Sequence, residues 1–252
     1  MSESLDRTID VPQLTAEEIL SLVLHRDGLM LVINKPAGLP VHRGPKGGAN
    51  LEASFDALRF GLPRPPVLAH RLDKDTSGCL VLGRHRKATA SLGLLFKHGK
   101  ISKTYWAIVE GGPVEDEGTI DMPLGRLNAE RGWWQKIDPE GQQAVTNWKV
   151  MGRGDGLTWL ALEPVTGRTH QLRVHSAAQG WPIVGDDIYG TQASLRRLRN
   201  EKFTPRFGEP RLHLHSRAIG IPISKNKEPV RVVAPAPEHM HERLRVCGWN
   251  GE

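Results

Sequence analysis

The sequence predicts an α+β fold, on three observations. Helix-like and strand-like segments follow one another without the steady strand–helix–strand rhythm of a doubly wound parallel sheet. The pair Asp27-Gly28 stands between two apolar runs, Leu22-Val23-Leu24 and Leu29-Met30-Leu31-Val32-Ile33, which is a hairpin signal and so implies antiparallel neighbours. Further short apolar runs recur to the end of the chain, separated by turn-forming residues.

Residues 1–14 read as a loose lead-in, after which Thr15-Ala16-Glu17-Glu18 forms a capping box and starts a short helix. The Asp27-Gly28 hairpin follows, and Asn34-Lys35-Pro36-Ala37-Gly38 ends its second strand. The stretch from His42 to Asn50 is rich in glycine and basic residues and reads as a loop. Its Gly44-Pro45-Lys46-Gly47-Gly48 lacks the spacing of a phosphate loop and has no Ser or Thr after the lysine. Asn50 can cap a helix whose Leu51, Phe55 and Leu58 share one face. Pro63, Pro65 and Pro66 close that region, and Cys79-Leu80-Val81-Leu82 is a short buried strand.

A helix is expected over 87–97, closed by His98-Gly99, and a strand over 103–109, ended by Gly111-Gly112. Strands are expected over 144–151 and 158–162. A helix beginning at Thr169 or His170 runs to Gln179 and stops at Gly180, and strands return over 212–219 and 230–233. The chain divides into a lead-in (1–21), one domain (22–236) and a tail (237–252).

At 252 residues the chain can bury a sizeable core. Hydrophobic residues at 38% and charged residues at 25% describe a globular protein and exclude a disordered one. No run of about 18 apolar residues is present, so no membrane partner is expected. The polar start, with Glu3, Asp6 and Asp10, lacks the basic and apolar parts of a secretory signal, which places the chain in the cytoplasm. Two cysteines, Cys79 and Cys247, give neither a disulfide framework nor a CxxC metal signature. The net charge of +6 is clustered at Arg84-His85-Arg86-Lys87, at Lys97, Lys100 and Lys103, and at Arg196, Arg197, Arg199, Lys202 and Arg206. Such patches suit a polyanion through counterion release, and equally suit a plain solvated face.

Two segments carry candidate chemistry. Asp73-Lys74-Asp75-Thr76-Ser77-Gly78 is a polar turn leading into the apolar strand, with His70 and Arg71 just before it. On turn chemistry alone Asp73 reads as structure. Thr166-Gly167-Arg168-Thr169-His170-Gln171-Leu172-Arg173-Val174-His175 gathers polar and cationic groups at a helix start, whose free amides and dipole favour phosphate. An amphipathic helix with an exposed basic face explains that pattern as well. Histidines His170, His175, His213 and His215, with Asp73 or Asp186-Asp187, invite a divalent site, but the i, i+4 pairing is missing, so no metal is expected.

At these segments the chain resembles the RluA-type family of pseudouridine synthases. His70-Arg71-Leu72-Asp73 followed by Thr76-Ser77-Gly78 looks like the family's catalytic motif. Supporting matches fall in the family's order: 31–42 (Leu31 to His42), Ser102-Lys103-Thr104-Tyr105, Gly167 to Arg173, Pro182 to Asp186 with Tyr189-Gly190, and Leu212-His213-Leu214-His215. Together they span 24–234. The resemblance implies a mixed, largely antiparallel sheet with peripheral helices and a central catalytic cleft. It also implies isomerisation of uridine to pseudouridine in ribosomal or transfer RNA, without cofactor.

By the same resemblance Asp73 is the catalytic carboxylate, Arg173 its guanidinium partner, and Tyr105 the active-site tyrosine that stacks on uracil and accepts a proton late. Without it, Tyr105 would read as a packed strand residue. His70, Arg71, His42, Arg43, Lys46, Lys103, Arg168 and His170 are the expected RNA contacts. Only about 20 residues precede the first matching strand, too few for the S4-type RNA-binding domain of many relatives. RNA would then be held by the catalytic domain itself, in a monomer with no obligate protein partner. Ser216 stands where the family more often has Ala, with no consequence expected. Two alternatives stay in view: a non-catalytic RNA-binding protein on this fold, and a metal-dependent hydrolase using Asp73, Asp75 and histidines.

Overall fold

The computed structural model describes residues 13–43, 47–128, 133–192, 211–224 and 226–251. Helix α1 (Ala16–Ser21) starts at the expected capping box: Thr15 Oγ1 accepts the Glu18 amide at 3.2 Å and Glu18 Oε2 accepts the Thr15 amide at 2.7 Å. Strands β1 (Val23–Arg26) and β2 (Met30–Lys35) form the hairpin, and Asp27 Oδ1 fixes its turn by accepting the Leu29 and Met30 amides. Asn50 caps the next helix, as expected, but Leu51–Leu58 winds as a 3-10 helix rather than an α-helix.

There follow β3 (Val67–Leu68), β4 (Ser77–Gly83), α2 (Arg86–Lys97), β5 (Ser102–Glu110), β6 (Glu117–Asp121), β7 (Leu124–Arg126) and β8 (Gln135–Ile137). The chain continues through β9 (Val145–Gly154), β10 (Leu157–Pro164), α3 (Gln171–Ala178), β11 (Leu214–Ile221), β12 (Val230–Val233) and α4 (Glu238–Val246).

Ten of these strands make one sheet, in the order β1-β2-β4-β11-β5-β10-β9-β6, with β3 added to β4 and β12 to β11. Every pair in it is antiparallel except β4 with β11. That parallel contact demands a glycine. Gly78 has φ +104°, and a Cβ there would sit 2.2 Å from the Ser216 carbonyl oxygen. The strand leaving the Asp73 turn can lie against β11 only because no side chain intervenes.

Alternation along β5 separates two cores. Tyr105, Ala107 and Val109 face one side, with Leu160, Leu162, the 3-10 helix and Leu172 of α3. Trp106 and Ile108 face the other, against Met240, Leu244, Cys247 and Trp249. The segment 237–252 is therefore not the tail expected from the sequence. Its few apolar residues, separated by His, Glu and Arg, fall on one face of α4, and Met240 and Leu244 are fully buried against the sheet. The lead-in is likewise integrated from Gln13 onward: Leu14 and Ile19 join the core, and Gln13 Nε2 bonds the Asn50 carbonyl and Ser54 Oγ.

Candidate functional site

The Asp73 turn lies between β3 and β4 and is held from beneath by a buried lysine. Lys35, at the end of β2, is fully buried, and its ammonium donates to the carbonyls of Pro36 (2.8 Å), Lys74 (2.8 Å) and Thr76 (2.9 Å). The Gly38 amide adds a bond to the Lys74 carbonyl, and the Thr76 amide bonds the Asp73 carbonyl. Burial pulls the Lys35 pKa down to about 7 against the pull of Asp75 and Asp73. Three carbonyl acceptors use all three N–H donors of the ammonium. Burial also raises the Asp75 carboxyl pKa, while the Asp73 side chain keeps about a third of its surface in solvent (35%).

Arg173 projects from the first turn of α3 and is 3% exposed. Its Nε and one terminal nitrogen each donate to Asp186, both at 2.7 Å, and that nitrogen reaches Asp187 at 3.3 Å. Burial opposes the guanidinium charge, but the Asp186 bonds outweigh it and hold the pKa above its ordinary range. Asp186 takes the Nε edge of the guanidinium, and Arg173 meets Asp73 through its charge. Asp186 also accepts the Ile188 and Tyr189 amides, which ties the turn after it to α3.

His170 stands between these groups. Its Nε2 lies 3.8 Å from Asp73 Oδ2 and 3.5 Å from the second terminal nitrogen of Arg173, and its Nδ1 is 2.8 Å from the Tyr189 hydroxyl. That hydroxyl also accepts the Gln135 amide at 2.9 Å, linking the β7–β8 hairpin to the site. His170 is buried and adopts left-handed backbone geometry (φ +55°) immediately before α3. For a residue other than glycine this conformation is strained, and such strain concentrates at functional sites. Burial lowers its pKa against the pull of Asp73. The expected RNA contact at His170 is thus an interior residue beside Asp73.

Tyr105 is buried on β5, opposite Ser216 of β11. Burial raises its hydroxyl pKa; the Ser216 hydroxyl offsets this in part, and the Asp73 charge adds to it. Ser216 Oγ itself donates to the Cys79 carbonyl at 3.4 Å. Lys103 lies two residues away on the same face, its pKa lowered by burial, with its Nζ close to Gly167.

The remaining expected RNA contacts divide. Arg71, Arg43 and Arg168 are exposed, although Arg168 Nε bonds the Gln143 carbonyl at 3.0 Å. His42 pairs with Glu52. Lys46 lies outside the described residues, as does the basic cluster from Arg196 to Arg206. His70 is half-buried and packs within the protein. Its Nε2 accepts the Val81 amide at 3.0 Å, its ring stacks on Phe96 at 4.2 Å, and burial with the nearby Lys103 charge brings its pKa to about 3.

The histidines considered for a metal are each committed to protein partners. His175 bonds Thr146 and the Met122 carbonyl, His213 bonds the Arg211 carbonyl and Arg243, and His215 bonds Ser77 and the Ala234 carbonyl. Among the described residues, no group of three potential ligands is placed to hold an ion. No helix among them is long and apolar enough to cross a membrane.

Sequence reasoning did not assign roles to Lys35, Tyr189 and Trp133, and considered Asp186 only as a metal ligand; Lys35, Asp186 and Tyr189 all lie in segments that carry the family resemblance. Trp133 carried no signal beyond being a tryptophan in a polar stretch.

The comparisons with known proteins agree with this fold. Residues 29–178 match the family described as RNA pseudouridylate synthase. The chain is 40% identical over 218 residues to an RNA pseudouridine synthase of Zymomonas mobilis, covering 86% of this chain and 94% of that protein. It is 33% identical over 228 residues to the ribosomal large subunit pseudouridine synthase C of Vibrio vulnificus, covering 89% and 69%. Among solved structures it is similar to human RNA pseudouridylate synthase domain containing 4. That match has a TM-score of 0.72 and 30% identity, over 91% of this chain and 95% of that one. The chain therefore belongs to the RNA pseudouridylate synthase family. Its activity is that of an RNA pseudouridine synthase, an isomerase acting on RNA.

Proposed function

We propose that Asp73 is the carboxylate that carries the isomerisation of uridine, in ribosomal or transfer RNA. The observation that carries this reading is the convergence of three segments, far apart in the chain, on Asp73. Lys35 holds its turn, His170 lies beside its carboxylate, and Tyr105 and Arg173 both feel its charge. The reaction breaks N1–C1′ and forms C5–C1′; N1 gains a proton and C5 loses one. No electrons leave the base and no group is donated from outside, so one anionic carboxylate at C1′ or C6 meets the requirement, as nucleophile or as stabiliser of a glycal-type route.

The target uridine must first leave its stack, at a cost of a few kcal/mol. Arg71, in this reading, fills the vacated position or meets a flanking phosphate; its exposure two residues before Asp73 supports this. Tyr105 supplies a neutral aromatic surface for the uracil. Arg173 and Asp186 form an ion pair that fixes α3 beside Asp73. We place the protein in the cytoplasm as a monomer.

The test is Asp73→Asn. The variant should bind RNA as the parent does and release no tritium from C5-labelled uridine. Substantial release would sink the assignment. Mapping pseudouridine in total RNA from cells with and without the gene then names the nucleotide.

A further inference from the structure

We propose that Trp133 is a base-stacking subsite for the RNA nucleotide next to the isomerised uridine. The proposal rests on the reading that the cleft at Asp73 receives that uridine. Trp133 is 59% exposed, and it is the one exposed aromatic side chain among the described residues. Five of the seven tryptophans are buried: Trp106, Trp148, Trp159, Trp181 and Trp249. The fold thus buries indoles wherever packing is available and leaves this one in water. Isolated exposed aliphatics need no explanation, but an uncovered indole beside a functional cleft does.

The indole is also held. It meets Trp134 edge-on at 5.8 Å (81°) and His170 at 5.5 Å (88°). Two perpendicular contacts fix the plane of the ring while leaving most of its surface free. The residues that follow it are anchored too: the Leu127 amide bonds the Trp134 carbonyl at 2.8 Å, and the Gln135 amide bonds the Tyr189 hydroxyl. The same His170 ring has its Nε2 3.8 Å from Asp73 Oδ2, so the indole is one ring removed from the reacting carboxylate.

The chemistry of the substrate supplies the occupant. Extruding a uridine deprives its neighbours of a stacking partner, and single-stranded RNA is recognised largely by aromatic planes that replace lost stacking. A held, open indole at the rim of the cleft is such a plane. It accepts any base, because every base has a π face.

The test compares the parent with Trp133→Ala, Trp133→Leu and Trp133→Phe. Affinity is read from the anisotropy of a short fluorescein-labelled oligouridylate, and turnover from tritium release on total RNA. Stacking predicts that Ala weakens affinity roughly five- to hundredfold. Leu, with apolar area but no π face, weakens it similarly, and Phe stays within a few-fold of the parent. The turnover loss falls mainly in KM, with kcat largely kept. Circular dichroism of the variants should match the parent.

Affinity unchanged in Trp133→Ala overturns the proposal and points to a protein partner over the indole; Leu binding as tightly as Phe overturns it in favour of plain hydrophobic contact. Binding does not require isomerisation. Turnover retained by Asp73→Asn would therefore defeat the site reading while leaving the oligonucleotide result standing.

Discussion

The Arg173 guanidinium donates to Asp186 through two parallel bonds of 2.7 Å, with both side chains almost wholly buried. Removing one partner of such a pair strands the other charge, at about 3–5 kcal/mol. Asp186→Asn should therefore lower Tm by roughly 10 °C, at the 2–4 °C per kcal/mol of a domain this size. Turnover should fall with it, since α3 carries the groups beside Asp73. A calorimetric Tm within about 2 °C of the parent would contradict this account of the pair.

Tyr189→Phe removes the hydroxyl that joins the Gln135 amide to His170. His170 then loses the contact that orients its ring towards Asp73. The expected outcome is a fall in kcat of about tenfold, about 1.4 kcal/mol in the barrier, with KM within twofold or so. A change confined to KM would show that Tyr189 serves RNA binding instead.

His70→Phe tests the packing of His70. Its ring accepts the Val81 amide and stacks on Phe96. Phe keeps the stacking and orphans the amide, at about 1–3 kcal/mol. Chemical denaturation should show that loss while RNA affinity is unchanged. A marked loss of affinity with no loss of stability would restore the RNA-contact reading.

Acid sensitivity follows from two buried histidines. Burial, joined by Arg243 at His213, brings the pKa of His213 to about 3 and that of His215 to about 4. Both lie below the unfolded value near 6.5. Between those values the unfolded chain binds more protons than the native one. Their contribution is therefore complete above about pH 6.5 and is lost as pH falls towards 4. With two protons involved, the slope approaches about 3 kcal/mol per pH unit. Denaturant titrations from pH 7 to 4 measure it, and a flat profile between 6 and 4 would refute it.

Much of the fold was legible because its signals are local. The Thr15 capping box, the Asp27 turn and the Asn50 cap are decided by side chains within three residues of the groups they bind. The helix α4 was misjudged because Met240, Leu244, Cys247 and Trp249 are dispersed among charges. Only the waiting face of Trp106 and Trp159 shows that they belong to one core.

The sequence by itself determined the family and the segments that carry chemistry, since motif identity and order are written along the chain. It could not decide which charge meets which. Asp73, Asp75, Asp186 and Asp187 are equivalent as letters. Arg173 selects Asp186, and Asp73 is left partly solvated beside His170, because sheet register and the left-handed turn at His170 set distances between segments about a hundred residues apart. Coulomb and hydrogen-bond energies depend on those distances. No pattern along the chain contains them.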